Sequence, residues 1–263
     1  TAAATERLQL EAELRDALHS GAIVAYYQPQ IDLATGRVIG AEALARWRHL
    51  EHGDIAPDRF IPLAKDTGLI VELGESILRQ ACRQARTWLD LGLGLQGMAV
   101  NVAGEQIQRG DFVAMVKRVL DETGLPPRLL ELEVSEGFFL WHGEHSIDVL
   151  RALGELGATL SIDDFGTGYS SLAYLKRLPI DKLKIDRSFV RDLPEDEDDA
   201  AIARAVVALA HSLGLRVLAE GVETAAQRDF LRRIGCEEAQ GFLFGRPVPA
   251  REFPLAIAAG TGP

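Results

Sequence analysis

Cysteine is scarce in this sequence. Cys82 and Cys236 are the only two in 263 residues, far apart and in no C-x-x-C pair. A disulfide framework is excluded, and a reducing compartment, the cytoplasm, is expected. Long apolar runs are missing too: no stretch approaches a membrane span, and no signal peptide is visible. The chain opens on Thr1 rather than Met, so it is expected to be a domain of a longer protein, which could be membrane-anchored through other segments. Basic excess is absent, with 28 Lys and Arg against 39 Asp and Glu and a net charge of -11. That balance argues against DNA and anionic membranes as partners. It leaves room for a small phosphate-bearing substrate, because metal ions held by acidic residues reverse the field locally. No G-x-S-x-G elbow and no Ser/His/Asp order points to a serine hydrolase.

What is present is the patterning of a sizeable core, with 47% hydrophobic and 25% charged residues. Thr5–Ser20 carries Leu8, Leu10, Leu14, Ala17 and Leu18 among charges and closes at Gly21, which predicts an amphipathic helix. Packed outside the next domain, it also suits the tail of a linker. After Gly21, short apolar runs alternate with helical segments. The strands expected are Val24–Asp32, Val38–Ala45, Met98–Ala103, Leu129–Val134, Ala158–Asp163, Lys182–Asp186, Leu215–Glu220 and Glu238–Phe242. Helices are expected between them, among them Val71–Leu91, Phe112–Thr123, Ser171–Arg177 and Ala200–Leu213. Eight strands with crossover helices predict an α/β fold, a TIM-like (β/α)8 barrel. The segments Tyr26–Asp32 and Arg37–Leu44, joined by Leu33–Gly36, read as a hairpin, so one barrel strand is expected to run antiparallel. The division is a linker helix over 1–20 and a barrel over 21–263. The acidic run Glu195–Asp199 reads as a solvated loop favouring a helix N-terminus.

Polar residues recur at the strand ends: Glu42, Asn101, Glu133, Asp163, Asp164, Lys184, Asp186, Glu220 and Gln240. In a β/α barrel the C-terminal ends of the parallel strands meet at one mouth. An isolated carboxylate there is best read as a helix cap. Several together repel one another unless cations intervene. An all-oxygen set favours hard ions, Mg2+ or Mn2+, and adjacent aspartates such as Asp163 and Asp164 suit a pair of ions that clamp a phosphodiester. The glycine-containing turn after them, Phe165, Gly166, Thr167 and Gly168, suits a lid.

These residues carry a family resemblance. Glu42-Ala-Leu44 with Ala45-Arg-Trp47, Asp163–Ser171, Leu183–Phe189, Ala219–Thr224 and Gln240–Pro247 resemble the EAL-domain family of cyclic di-GMP phosphodiesterases, as do Tyr26–Pro29 and Phe60–Ala64. The resemblance covers nearly all of the chain after Gly21. It implies hydrolysis of cyclic di-GMP to linear pGpG with two Mg2+ or Mn2+ ions. Carried over residue by residue, it assigns metal ligation to Glu42, Asn101, Glu133, Asp163, Asp164 and Glu220. Lys184 would contact the attacking water and assist its deprotonation, and Gln240 would help hold water at the metals. Gln28, Leu44 and Arg46 would bind substrate, Arg46 being well suited to a phosphate. Glu136 would anchor the lid, with Asp186 and Glu223 in support. A homodimer pairing near the lid is implied, as is an upstream regulatory or diguanylate-cyclase-like domain. Ala103, Ser135 and Gly137 depart from the residues common in the family, and none of these changes removes a ligand. The alternative is a receptor that binds cyclic di-GMP without cleaving it. Such receptors would be expected to lose ligands or the lysine, and this chain keeps both.

Two H-x-x-H pairs, His49 with His52 and His142 with His145, read as surface histidines rather than ligands. Trp47, Trp88 and Trp141 read as packing residues, and Cys82 as a buried small hydrophobe.

Overall fold

The computed structural model describes residues 2–49, 51–109, 111–139, 143–167 and 175–259. Trp141, His142, Gly168 and most of the expected helix Ser171–Arg177 lie outside them. The helix α1 (Ala2–Ser20) comes first. It lays Leu14 and Ala17 into the core. Strands β1 (Ile23–Asp32) and β2 (Val38–His49) follow as an antiparallel hairpin. Its turn is built by Asp32, whose carboxylate accepts from both the N–H and the hydroxyl of Thr35 at 2.7 Å, and by Gly36 at φ 70°.

The chain continues through β3 (Gly53–Ile55), α2 (Pro57–Thr67), α3 (Ile70–Asp90), β4 (Gly97–Val102), α4 (Gly104–Gln108) and α5 (Phe112–Thr123). Then come β5 (Leu130–Ser135), α6 (Glu136–Phe139), α7 (Gly143–Glu155), β6 (Thr159–Phe165) and β7 (Lys182–Ile185). The last elements are α8 (Glu197–Ser212), β8 (Arg216–Ala219), α9 (Ala225–Arg233), β9 (Glu238–Gln240), β10 (Val248–Pro249) and α10 (Phe253–Ala259). Asp196 caps α8 by accepting from the N–H groups of Asp198 and Asp199 at 2.9 Å, so the acidic run serves a helix start.

Strands β1, β9, β8, β7, β6, β5, β4 and β2 pair in that order, and β1 pairs again with β2, which closes an eight-stranded barrel. Strand β1 is antiparallel to both neighbours and the other pairings around the ring are parallel. The expected barrel with one reversed strand is the fold observed. Strand β5 shows how it is packed. Leu130, Leu132 and Val134 belong to the hydrophobic cluster, while the alternate residues Glu131 and Glu133 pair with lysines of β7. Period-two alternation sends the aliphatic side chains toward the helices and the glutamates inside. Trp47, Trp88 and Cys82 are buried, as the sequence predicts.

Candidate active site

Register gathers the expected residues at one end of the barrel. Asn101 on β4 lies level with Glu133 on β5, and Asp163 on β6 lies level with Ser135. Lys184 on β7 lies level with Leu218, two residues before Glu220. At the centre is Lys184, whose side chain is fully buried. Its Nζ lies 2.7 Å from Glu133, 2.7 Å from Glu220 and 3.2 Å from Asp163. Burial opposes its charge, but Glu133, Glu220, Glu42 and Asp163 together hold it well above the ordinary lysine value.

One lysine does not neutralise this set. Glu133 Oε1 is buried without a hydrogen-bond partner. Burial, with Glu42 and Asp163 nearby, pushes the Glu133 carboxyl well up, and the same causes push Glu220 up to about 8. Asp164 is pushed up to about 6 by burial, then by Asp163 and Asp186. Carboxylate oxygens of Asp163, Asp164 and Glu220 lie within 4.8 Å of one another. Both oxygens of Glu42 are taken by amides: Asn101 Nδ2 donates at 2.6 Å and Gln240 Nε2 at 2.5 Å. An all-oxygen set with excess negative charge fits divalent cations of the hard class.

Asp164 has φ 56°, the one positive value at a non-glycine among the described residues. Aspartate tolerates that region better than most residues, at a cost of about 1–3 kcal/mol. The bend turns the chain from β6 into the loop, where Thr167 Oγ1 donates to Asp164 O at 2.8 Å. The Gly166 N–H donates to Glu136 Oε2 at 2.9 Å, so Glu136 holds the loop backbone from the end of β5. Phe165 is buried, and Gly166, at φ 100°, faces the ring of Phe189. Asp186 bonds Asp164 and accepts from Ser188 N at 2.9 Å.

Gln28 is buried and donates to Gly245 O at 3.0 Å, while its Oε1 accepts from Gln240. Leu44 and Arg46 follow Glu42 on the same face of β2, half-buried. The Arg46 guanidinium lies 5.7 Å from the Tyr26 ring centroid and bonds Ala45 O at 2.8 Å. Glu223 is exposed; its N–H donates to Gln227 Oε1 beside the Thr224 cap of α9, and no bond among the described residues ties its side chain to the carboxylates.

A family model for the EAL domain matches residues 11–247. The chain belongs to the EAL domain family. Over 255 residues it is 49% identical to the bifunctional diguanylate cyclase/cyclic di-GMP phosphodiesterase MucR of Pseudomonas aeruginosa, covering 97% of this chain and 37% of MucR. It is 48% identical over 246 residues to the cyclic di-GMP phosphodiesterase NbdA of the same organism, covering 94% of the chain and 31% of NbdA. This EAL domain thus spans about a third of the length of these curated relatives. It superposes on the PaMucR phosphodiesterase in complex with c-di-GMP with a TM-score of 0.90 at 49% identity, covering 93% of this chain and 99% of that one.

Two further clusters lie away from the mouth. Glu13, His49 and His52 bring ligand atoms within 4.8 Å of one another. His49 Nδ1 accepts from the N–H groups of Glu51 and His52 at 3.1 Å, so the ring proton sits on Nε2, which faces Glu13 at 3.3 Å. That tautomer presents no lone pair to a cation, and the group ties α1 to the barrel; His52 is exposed, but the His49 side chain is only 12% exposed and so is not the surface histidine its spacing suggests. At the opposite end of the barrel interior, Lys182 pairs with Glu131 at 2.6 Å and Glu238 at 2.7 Å, and Arg216 also pairs with Glu238. These residues border a cavity of about 80 Å³. Sequence reasoning missed this cluster, although Glu131 and Glu133, Lys182 and Lys184, and Glu238 and Gln240 share one two-residue spacing.

Proposed function

We propose that this EAL domain is a metal-dependent phosphodiesterase that hydrolyses cyclic di-GMP to linear pGpG. The observation that carries the reading is the unbalanced charge at the mouth: one buried lysine among Glu42, Glu133, Asp163 and Glu220. Glu42, Asn101, Glu133, Asp163, Asp164 and Glu220 would hold two divalent ions, Mg2+ or Mn2+. When bound, the ions neutralise charge on the phosphodiester and make water acidic enough to attack.

The chain's own residues do the rest. Arg46 offers a guanidinium to a phosphate, and Gln28 and Leu44 flank the substrate on β1 and β2. Lys184 contacts the attacking water; its charge, maintained by the surrounding carboxylates, favours the hydroxide form and balances negative charge developing at phosphorus. Gln240 helps orient that water. Water oxygen bonds to phosphorus and releases a proton to solvent, the bond from phosphorus to the ribose 3′ oxygen breaks, and the departing oxygen takes up a proton from solvent, giving a 5′ phosphate monoester and a 3′ hydroxyl. Glu136 anchors the loop through Gly166, with Phe165 and Thr167 in the lid and Asp186 and Glu223 in support.

In the cell we place this domain in the cytoplasm, joined through residues 1–20 to an upstream regulatory or diguanylate-cyclase-like domain and paired as a homodimer. Among the described residues no helix is long and apolar enough to cross a membrane. Incubation of the purified chain with cyclic di-GMP and Mg2+, with products separated by chromatography, tests the activity. Linear pGpG supports it; binding without product in both Mg2+ and Mn2+ points to a receptor instead. Sedimentation with substrate and metal tests the dimer, and a monomer at all concentrations rejects it.

A further inference from the structure

Gln30 is inside the barrel, 2% exposed, and takes no part in the chemistry above. It is level with Gln240 on β9 and with Gly40 on β2. Its Nε2 donates to Gln240 Oε1 at 3.2 Å. Gln240 Nε2 in turn donates to Gln28 Oε1 at 3.0 Å and to Glu42 Oε2 at 2.5 Å. A carboxamide has a donor end and an acceptor end of nearly equal size, so its orientation is decided by what surrounds it. Glu42 and Gln28 both require the donor end of Gln240. Gln30 supplies the matching donor to the other end, which is otherwise a buried carbonyl oxygen.

The orientation of Gln30 has its own support. A Cβ on Gly40 would lie 2.9 Å from Gln30 Oε1 and 3.0 Å from Gly97 O, so glycine at 40 leaves the seat in which that oxygen rests. Gln30 also borders the cavity beside Glu131, Lys182 and Glu238. It therefore stands between the two charged ends of the barrel, with its donor directed to the mouth.

We propose that Gln30 is a positioning residue: its hydrogen bond fixes the orientation of the Gln240 amide and, through it, the placement of Glu42, with Gly40 providing the space. The inference rests on the proposed roles of Glu42 and Gln240.

Gln30→Glu keeps the shape and exchanges the amide donor for a carboxyl; Gln30→Met removes the donor outright without adding a charge, so it serves if the glutamate variant does not fold or holds a proton. Gly40→Ala leaves Gln30 unchanged but crowds its Oε1, along with the Gly97 carbonyl. Three quantities are read on the full chain: turnover of cyclic di-GMP with Mg2+, calorimetric Mn2+ affinity, and the side-chain 15N–1H signals of Gln240 in metal-free protein. Partners that orient metal ligands are typically worth about 10–100-fold, and Gln30→Glu is expected to lower kcat and Mn2+ affinity within that range while KM changes less than about twofold. Gln30→Met and Gly40→Ala should lie between it and wild type. The Gln240 amide signals should move in all three. In a Gln240→Ala background, Gln30→Glu should add nothing.

Wild-type kcat, Mn2+ affinity and Gln240 signals in Gln30→Met would overturn the proposal, as would a loss that persists undiminished in the Gln240→Ala background. If the wild-type chain binds cyclic di-GMP but does not cleave it, the proposed function fails, and Mn2+ affinity with the amide signals still decides the role of Gln30.

Discussion

Lys182 and Lys184 stand two residues apart on one strand, both buried inside the barrel and both held above the ordinary lysine value by carboxylates despite burial. Around Lys182 the charges close on themselves: Glu131 and Glu238 are answered by Lys182 and Arg216. Around Lys184 they do not, since Glu133, Asp163 and Glu220 share one lysine and Glu42 adds its field. A buried ion pair adds little net stability, because desolvation offsets attraction, yet removing one member is costly. What separates the two ends is therefore count rather than chemistry. The balanced end has no need of a further ion, and the end with excess carboxylate gains by taking up cations.

The largest effect that tests this contrast is chelation. Ions that supply several kcal/mol of transition-state stabilisation are worth at least about 10³-fold in rate. Exhaustive chelation should abolish turnover to that extent, and Mg2+ should restore it. Full activity after chelation would remove the reason for the charge excess.

Substitution of the lysines should split the ends. Lys184→Met is expected to fold with metal bound and to lower kcat by about 10²–10³-fold, the range for loss of a group that stabilises developing charge. Lys182→Met should leave kcat of the folded protein within about twofold and cost about 3–5 kcal/mol in denaturant unfolding, because Glu131 and Glu238 lose their shared partner. Equal losses of kcat in the two variants would show that both ends serve turnover.

Stability against pH gives a smaller contrast. Without metal, burial and neighbouring carboxylates push Glu220 up from 4.5 to about 8. The folded chain then keeps a proton that the unfolded chain releases. The associated stability is present below about pH 4.5 and is lost as pH rises to about 8. The slope is about 1.4 kcal/mol per pH unit for each proton retained. Lys182, a raised lysine, contributes stability below its ordinary value of 10.5 that is lost only above it, so its end adds no slope at neutral pH. Denaturant melts from pH 5 to 8 should fall with pH in chelator and flatten in saturating Mg2+. A flat line in chelator would mean that the mouth carries no excess charge.

The mouth was legible in the sequence because its residues follow apolar runs: Asp163 and Glu220 end what read as strands, and Glu42, Asn101 and Lys184 lie two to three residues before the ends of theirs. The opposite end was not, because Lys182 and Glu238 begin their strands and a polar residue there reads as a boundary. Only the register, which sets Lys182 level with Ser161 and Arg216, shows that the same two-residue spacing runs through both layers. Gln30 escaped notice because its meaning depends on Gln240, more than two hundred residues away in sequence. The positive φ of Asp164 and the short helix α4, which starts at a glycine, had no signal in periodicity. The reversed strand β1 was readable because Asp32 through Gly36 carry the chemistry of a turn.

The smallest expected effect concerns Arg216, the outer member of the balanced end. Its side chain is 52% exposed and reaches inward to Glu238, which Lys182 also holds. Arg216→Gln leaves Glu238 with one cation instead of two, and water screens part of what is lost. The cost should be near that of a surface pair, about 1 kcal/mol or less, and should shrink further in high salt. kcat should not change, since no residue of the mouth touches Arg216 in the ion pairs of the described residues. Lys182→Met should always cost more, because Lys182 bridges Glu131 and Glu238 and is buried. If Arg216→Gln proved as damaging as Lys182→Met, Glu238 would depend on both cations equally. The balanced end would then lie at the limit of its charge compensation, and its contrast with the mouth would be one of degree.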